Sequence, residues 1–286
     1  MPHFPRDEFT LRQVMERPDF ECFHYCDTTP PTVEFHDHQF YEILFFLNGN
    51  VSYTIEGRTY QLRPGDILLT SRGDLHKPDI RGGKAYERYL LWVQPHVIDR
   101  IRHLGADLDA CFRDAQQKRH HLVRPDSAVL THLKQICQKM LQTRDETEFG
   151  SSTLSLTYLV EFLVYLNRAY FATPDAIRQD ITENEKINQV LAYINTHLSE
   201  DLSLDRLSQA LFVSKSHLNR SFKDFTGLTL YQYIIKKRLV VARNMLLEGE
   251  PVMNACMHCG FSDYSNFLKA FKREFGRSPR EFMVRK

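Results

Sequence analysis

The sequence has no run of eighteen apolar residues, so it offers no segment of the length a helix needs to cross a bilayer. Its first residues, Met1-Pro2-His3-Phe4-Pro5-Arg6-Asp7, lack the apolar stretch of an export signal, and a soluble cytoplasmic protein is expected. Cysteine is sparse: six in 286 residues (Cys22, Cys26, Cys111, Cys137, Cys256 and Cys259), expected as free thiols in a reducing compartment. Cys256-Met257-His258-Cys259 has the form of half a zinc ribbon, but no second pair follows, which leaves packing as its expected role. Charge of either sign is not in excess, with 37 Lys+Arg against 36 Asp+Glu.

That balance conceals an asymmetry. Residues 185–286 hold 16 basic against 10 acidic side chains, and the remainder 21 against 26. A basic final third beside an acidic remainder is the pattern of one part that meets phosphate and another that does not.

Within the basic third, one unit occurs twice. Leu204 to Val213 followed by Ser214 to Lys223 has the layout of a helix-turn-helix, and so does Val252 to Phe261 followed by Asp263 to Lys272. Each second helix closes on an aromatic-Lys pair, Phe222-Lys223 and Phe271-Lys272, with an apolar residue four positions earlier, Leu218 and Phe267. That spacing is one buried stripe.

Opposite the stripe, the first helix carries Lys215, Ser216, Asn219, Arg220 and Lys223. The second carries Tyr264, Ser265, Asn266, Lys269, Lys272 and Arg273, with Leu268 as a candidate for a thymine methyl. Arg and Asn are the side chains that read guanine and adenine edges in the major groove, whereas Lys and Ser more often hold phosphate. Asn219, Arg220, Ser265, Asn266 and Lys269 are therefore the expected base readers, and Lys215, Lys223, Lys272 and Arg273 the expected phosphate contacts. Either helix alone would pass for an amphipathic helix with a solvated basic face; the repetition argues against that. Between the units, Leu230 to Leu247 has helical apolar spacing and no Gly or Pro, which predicts one helix of about 27 Å. Such a connector suits two reading helices in successive major grooves, about 34 Å apart.

From about Ile187 to Met283 the chain resembles the AraC/XylS family of bacterial transcription regulators. The resemblance rests on Leu204 to Lys223 and on the run from Gly260 to Phe267, continued by Phe271 to Pro279. It implies double-stranded promoter DNA and RNA polymerase as partners. Ala255, Cys256 and Cys259 depart from the family pattern, on the supporting helix rather than on the reading face.

The first ninety residues read as all-β. Val51 to Ile55 alternates, Glu56-Gly57 supplies a turn, Thr59 to Leu62 returns, and Arg63-Pro64-Gly65-Asp66 turns into the apolar strand Ile67-Leu68-Leu69. Short strands at this cadence suggest a double-sheet jelly roll. His36, His38 and Glu42, with Gly49, Pro64-Gly65-Asp66 and then His76, resemble the cupin barrel that many members of that family carry as a sensory domain. Three roles stay open for His36, His38, Glu42 and His76: effector contacts, ligands of a divalent metal, or braces of the fold. Aromatic residues (Phe35, Phe40, Tyr41, Phe45, Phe46, Tyr53, Tyr60, Tyr86, Tyr89 and Trp92) are abundant here, mostly as expected core.

After the barrel, Ser127 to Thr143 and Leu154 to Phe171 form a predicted hairpin of amphipathic helices, more apolar than a barrel flank requires, which points to dimerisation. Thr182-Glu183-Asn184-Glu185 has the form of a capping box. The expected organisation is α+β in two domains: a cupin-like effector and dimerisation domain at 1–171, a linker at 172–184, and an all-α DNA-binding domain at 185–286. The expected activity is that of a homodimeric, non-enzymatic activator that answers a small-molecule effector, a sugar or sugar derivative by family resemblance. It needs no cofactor and no membrane. Two alternatives stand: a metal-binding cupin enzyme fused to a DNA-binding domain, and a ligand-independent regulator.

Overall fold

The computed structural model describes Asp7 and residues 14–29, 32–173, 181–182 and 185–283. The chain divides into two compact units, residues 1–182 and 183–286.

In the first unit, β1 (Phe20–Asp27), β2 (Tyr41–Asn48), β3 (Val51–Ile55), β4 (Arg58–Gln61), β5 (Ile67–Thr70), β6 (His76–Ile80), β7 (Tyr86–Val93), β8 (Leu122–Val123) and β9 (Ile181–Thr182) build two antiparallel sheets. One has the order β1-β7-β2-β5-β8, the other β6-β3-β4-β9. The turn between β3 and β4 falls at Glu56 and Gly57, whose φ angles of 46° and 80° match the twist a two-residue hairpin requires.

The alternation of β2 and β7 explains their nearly unbroken apolar runs. Leu44, Phe46, Leu90 and Trp92 point toward the second sheet and pack with Val51, Tyr53, Ile55 and Tyr60. Ile43, Phe45, Tyr89, Leu91 and Val93 point the other way, into a core shared with helices. A strand buried on both faces has no polar side to show.

Those helices are α1 (Pro95–Ile101), α2 (Ala110–Lys118), α3 (Ser127–Thr143) and α4 (Ser151–Ala172). Asp126 caps α3, its carboxylate accepting from the backbone N–H groups of Ala128 and Val129 at 2.9 Å each. Leu133, Ile136, Met140, Leu159, Phe162, Leu163 and Leu166 of the hairpin bury against the outer face of the larger sheet. The hairpin therefore flanks the barrel, and the surplus apolar surface that drew attention in the sequence is carried by exposed Leu154 and Phe171 on α4 and Phe149 before it.

The jelly roll is not confined to the first ninety residues. β8 and β9 come from far down the chain, and β9 pairs Ile181 with Tyr60 and Thr182 with Thr59 on the edge of β4. Of the expected capping box, Glu183 and Asn184 lie outside the described residues, as do residues 174–180 of the linker.

The second unit consists of α5 (Glu185–Thr196), α6 (Leu204–Ala210), α7 (Lys215–Thr226), α8 (Leu230–Leu247), α9 (Val252–His258) and α10 (Tyr264–Phe275). Helix α8 has the range read from the sequence, and a capping box starts it: Gln232 N–H donates to Thr229 Oγ1 at 3.2 Å while Thr229 N–H donates to Gln232 Oε1 at 2.9 Å. Leu239, Ala242 and Leu246 of α8 enclose Ala255, Cys256, Cys259, Phe267 and Phe271 in one core. The residues that depart from the family pattern are thus buried, and Cys259 Sγ lies 3.9 Å from Met245 Sδ. All six cysteines are free thiols.

Candidate nucleic-acid interface and barrel site

Helices α7 and α10 are built alike. Each has 12 residues, and each ends at a glycine of positive φ whose N–H returns to a lysine carbonyl: Gly227 to Lys223 at 2.8 Å and Gly276 to Lys272 at 2.9 Å. On α7, Leu218 and Phe222 are buried, while Lys215, Ser216, Arg220 and Lys223 are exposed and Asn219 is half-buried. Lys215 pairs with Asp205 of α6.

On α10, Phe267 and Phe271 are buried and Ser265, Asn266, Lys269, Lys272 and Arg273 are exposed. Asp263 caps the helix by accepting from Asn266 N–H at 2.7 Å. Tyr264 and Leu268 are half-buried against the core, so part of each side chain is committed to packing rather than to the exposed face. Helix α7 begins with Lys215 beside its free backbone N–H groups, whereas the basic side chains of α10 lie further along, at Lys269, Lys272 and Arg273.

In the first unit, the structure brings three of the four expected barrel residues together. His38 precedes β2, Glu42 is its second residue and His76 opens β6; one ligating atom from each lies within 4.8 Å of the others. All three are buried. His36 stays outside that triad. Its backbone bridges His76, N to O at 3.2 Å and O to N at 3.0 Å, and its ring lies 4.2 Å from that of His76, centroid to centroid.

The imidazoles are oriented from behind. His38 Nδ1 donates to the Phe40 carbonyl at 2.9 Å, His76 Nδ1 to that of Asp74 at 2.8 Å and His36 Nδ1 to that of Glu34 at 2.9 Å. With the proton on Nδ1, each Nε2 carries a lone pair. His38 Nε2 is 3.5 Å from Glu42 Oε2 and His76 Nε2 is 3.6 Å from Glu42 Oε1.

Glu42 has two further partners that sequence reading filed only as core aromatics: Trp92 Nε1 donates to Oε2 at 2.7 Å and Tyr53 Oη to Oε1 at 3.3 Å. The signal was available in the phase of β7, where Trp92 alternates inward with Arg88 and Leu90. Arg88, also missed, is buried between Tyr25 and Tyr86, its guanidinium 4.9 and 4.0 Å from the ring centroids, and pairs with Asp27 at 2.6 Å.

Burial pushes the Glu42 carboxyl up, but the surrounding histidines prevail and hold it well below the usual carboxylate range. Burial holds His76 well below the usual imidazole range and lowers His36 as well. A buried carboxylate ringed by imidazoles is complementary to hydroxyl groups or to a cation.

Two family models match the chain: the AraC-like ligand binding domain over residues 17–163 and a helix-turn-helix domain over residues 207–285. The chain belongs to the AraC family of transcription regulators. It is a DNA-binding transcription regulator that carries an AraC-like ligand-binding domain. It is similar to the HTH-type transcriptional activator RhaS of Enterobacter sp., 26% identical over 249 residues and 86% of each chain. RhaS of Escherichia coli O157:H7 is 27% identical over 251 residues, again 86% of each. Among solved structures, an AraC-type regulator from Chromobacterium violaceum is 28% identical, covering 34% of this chain and 88% of its own, with a TM-score of 0.32. No helix among the described residues is long and apolar enough to cross a membrane.

Proposed function

We propose that this AraC-family member is a transcription activator, working as a homodimer, whose barrel takes a sugar or sugar derivative and whose two reading helices occupy successive major grooves of a promoter. The observation that carries the reading is α8: 18 residues of uninterrupted helix, about 27 Å, joining two helix-turn-helix units of matching build. Asn219, Arg220, Ser265, Asn266 and Lys269 read bases; Lys215, Ser216, Tyr264, Lys223, Lys272 and Arg273 position the backbone. RNA polymerase is the downstream partner. The working boundaries are 1–171 for sensing and dimerisation, 172–184 for the linker and 185–286 for DNA.

A sugar suits the acceptor-rich interior around His36, His38, Glu42 and His76, because hydroxyls donate where imidazole lone pairs and a carboxylate wait. Tyr53 and Trp92, buried behind them, hold the Glu42 carboxylate in place. The RhaS relatives are named as transcriptional activators, which supports regulation rather than catalysis. His76 and Tyr53 stand on the smaller sheet, the one whose far edge carries β9, so an occupant of the barrel has a path along hydrogen-bonded strands to the last segment before the DNA unit.

The test is selection of duplexes from a randomised pool by the full-length chain, with and without a panel of sugars and sugar acids. The reading requires two half-sites about one helical turn apart and a change in affinity with one panel member. A single half-site, or indifference to every compound, refutes it.

A further inference from the structure

We infer that the DNA interface extends beyond the reading helices onto the connector: a cleft between α8 and α10 seats one phosphodiester of the duplex backbone, and the Tyr231 hydroxyl donates to it from α8. The inference rests on the proposed seating of α10 in a major groove and adds to it a contact from a third helix.

The cleft itself is the first ground. It has a volume of about 460 Å³, with Tyr231, Ile235 and Arg238 of α8 on one side and Asn266, Lys269 and Arg273 of α10 on the other. The three α10 residues recur at intervals of three and four, so they share one helix face. All three are exposed while Phe267 and Phe271 are buried. Nucleic acid gripped by that face lies against Tyr231.

Charge is the second ground. Among the described residues, none of Arg238, Lys269 and Arg273 is paired with a carboxylate. Nearby Lys215 and Lys236, by contrast, have Asp205 and Glu274. Arg238 donates to the carbonyls of Leu198 at 2.9 Å and Glu200 at 2.6 Å, contacts that fix its guanidinium without cancelling its charge. The one carboxylate that lines the cleft, Asp263, is engaged as the cap of α10, accepting from Asn266 N–H at 2.7 Å. Three cations against one acid make the cleft positive, the electrostatic footprint of a phosphate seat.

Tyr231 is the third. It is 72% exposed, and its hydroxyl has no hydrogen-bond partner among the described residues. Its neighbours Leu230, Tyr233 and Ile234 are buried, so α8 turns this one ring outward in its first turn. The residue stands four positions past Gly227, where α7 ends. It therefore lies between the two reading helices, on the element that spans the ridge between successive major grooves. A phenol there offers an O–H to a phosphate oxygen, a contact that sets register and carries no sequence information.

The experiment uses the full-length chain and a duplex selected from a randomised pool, read by ethylation interference and by affinity over a salt series. In the unmodified chain, ethylating one phosphate beside the α10 half-site, on the side facing the other half-site, should block binding. Tyr231→Phe should erase interference at that phosphate and weaken all sequences alike by about fivefold, the loss of one surface hydrogen bond. Its salt slope should stay unchanged, because no charge is removed, whereas Arg273→Ala should lower the slope by about one. Tyr231→Phe that leaves affinity and interference as they were, or that relaxes a single base position, overturns the contact and leaves the regulator reading intact. Base protection in the same footprint judges the two-groove reading separately. A single protected half-site refutes that reading, and the contact falls with it when the protection survives Lys269→Ala.

Discussion

Trp92 and Glu42 face each other across β7 and β2 as a registered cross-strand pair, and the indole donates to the carboxylate at 2.7 Å inside the barrel. A hydrogen bond to a buried charged group contributes about 1.5–3 kcal/mol. Trp92→Phe, which also removes volume, should destabilise the barrel by at least about 2 kcal/mol in chemical denaturation. Because Trp92 is the sole tryptophan, its emission should also report occupancy of the site. Unchanged stability in Trp92→Phe, or emission indifferent to a bound effector, contradicts the assignment.

Burial brings the His121 imidazole down to about 4, while its Nδ1–H serves the Leu69 carbonyl at 2.9 Å. The unfolded chain takes up this proton near pH 6.5, the folded chain only near pH 4. The contribution is therefore present above pH 6.5 and lost as pH falls across that window, by up to about 3 kcal/mol. His36 and His76, lowered by burial, act in the same direction. Thermal midpoints measured from pH 7 to pH 5 should fall, and His121→Gln should flatten the decline. A midpoint that rises on acidification speaks against the mechanism.

Arg220 and Lys272 are both exposed on reading helices, yet different losses are expected from them. Arg220→Ala should weaken operator binding by about 1–3 kcal/mol and relax one base position, as the loss of a base-edge contact requires. Lys272→Ala should weaken all sequences alike and reduce the salt slope by about one. Gel-shift series over salt and over single-base operator variants separate the two, and a base-specific loss from Lys272→Ala would reverse its assignment.

Gly260 has a φ of 80°, and a Cβ there would meet the Leu198 carbonyl oxygen at 2.7 Å and Arg238 Nη2 at 2.9 Å. Arg238 is held in turn, donating to the carbonyls of Leu198 at 2.9 Å and Glu200 at 2.6 Å. Gly260→Ala combines left-handed strain with a backbone clash and should cost about 1–3 kcal/mol. Urea unfolding of the variant checks this. A substitution within about 0.5 kcal/mol of neutral would show that the contact yields freely.

Legibility in the sequence followed the length and regularity of each element. Helix α8 has the bounds its apolar spacing predicts, and the same spacing located the reading helices, which nevertheless run three residues past Lys223 and Lys272, to Thr226 and Phe275. The hairpin helices were equally plain, but which of their apolar residues turn toward the sheet depends on packing that no single helix encodes. Helices α1 and α2, of seven and nine residues, have too few turns for a stripe to emerge. Strands β8 and β9, two residues each, carry no period at all; only their partners on β5 and β4 make them strands. In the barrel, spacing singled out His36, His38, Glu42 and His76, but not that His36 would stand aside, nor that Trp92 and Tyr53 would hold the carboxylate. Those relations arise from register between strands distant in sequence.

The small size of β9 has one more consequence, for reach. Two residues separate Thr182 from Glu185, so with β9 seated on β4 the chain between the barrel and α5 can extend over roughly 10 Å. That length is far short of one turn of DNA, about 34 Å, and two backbone pairs, Ile181 with Tyr60 and Thr182 with Thr59, are what set it.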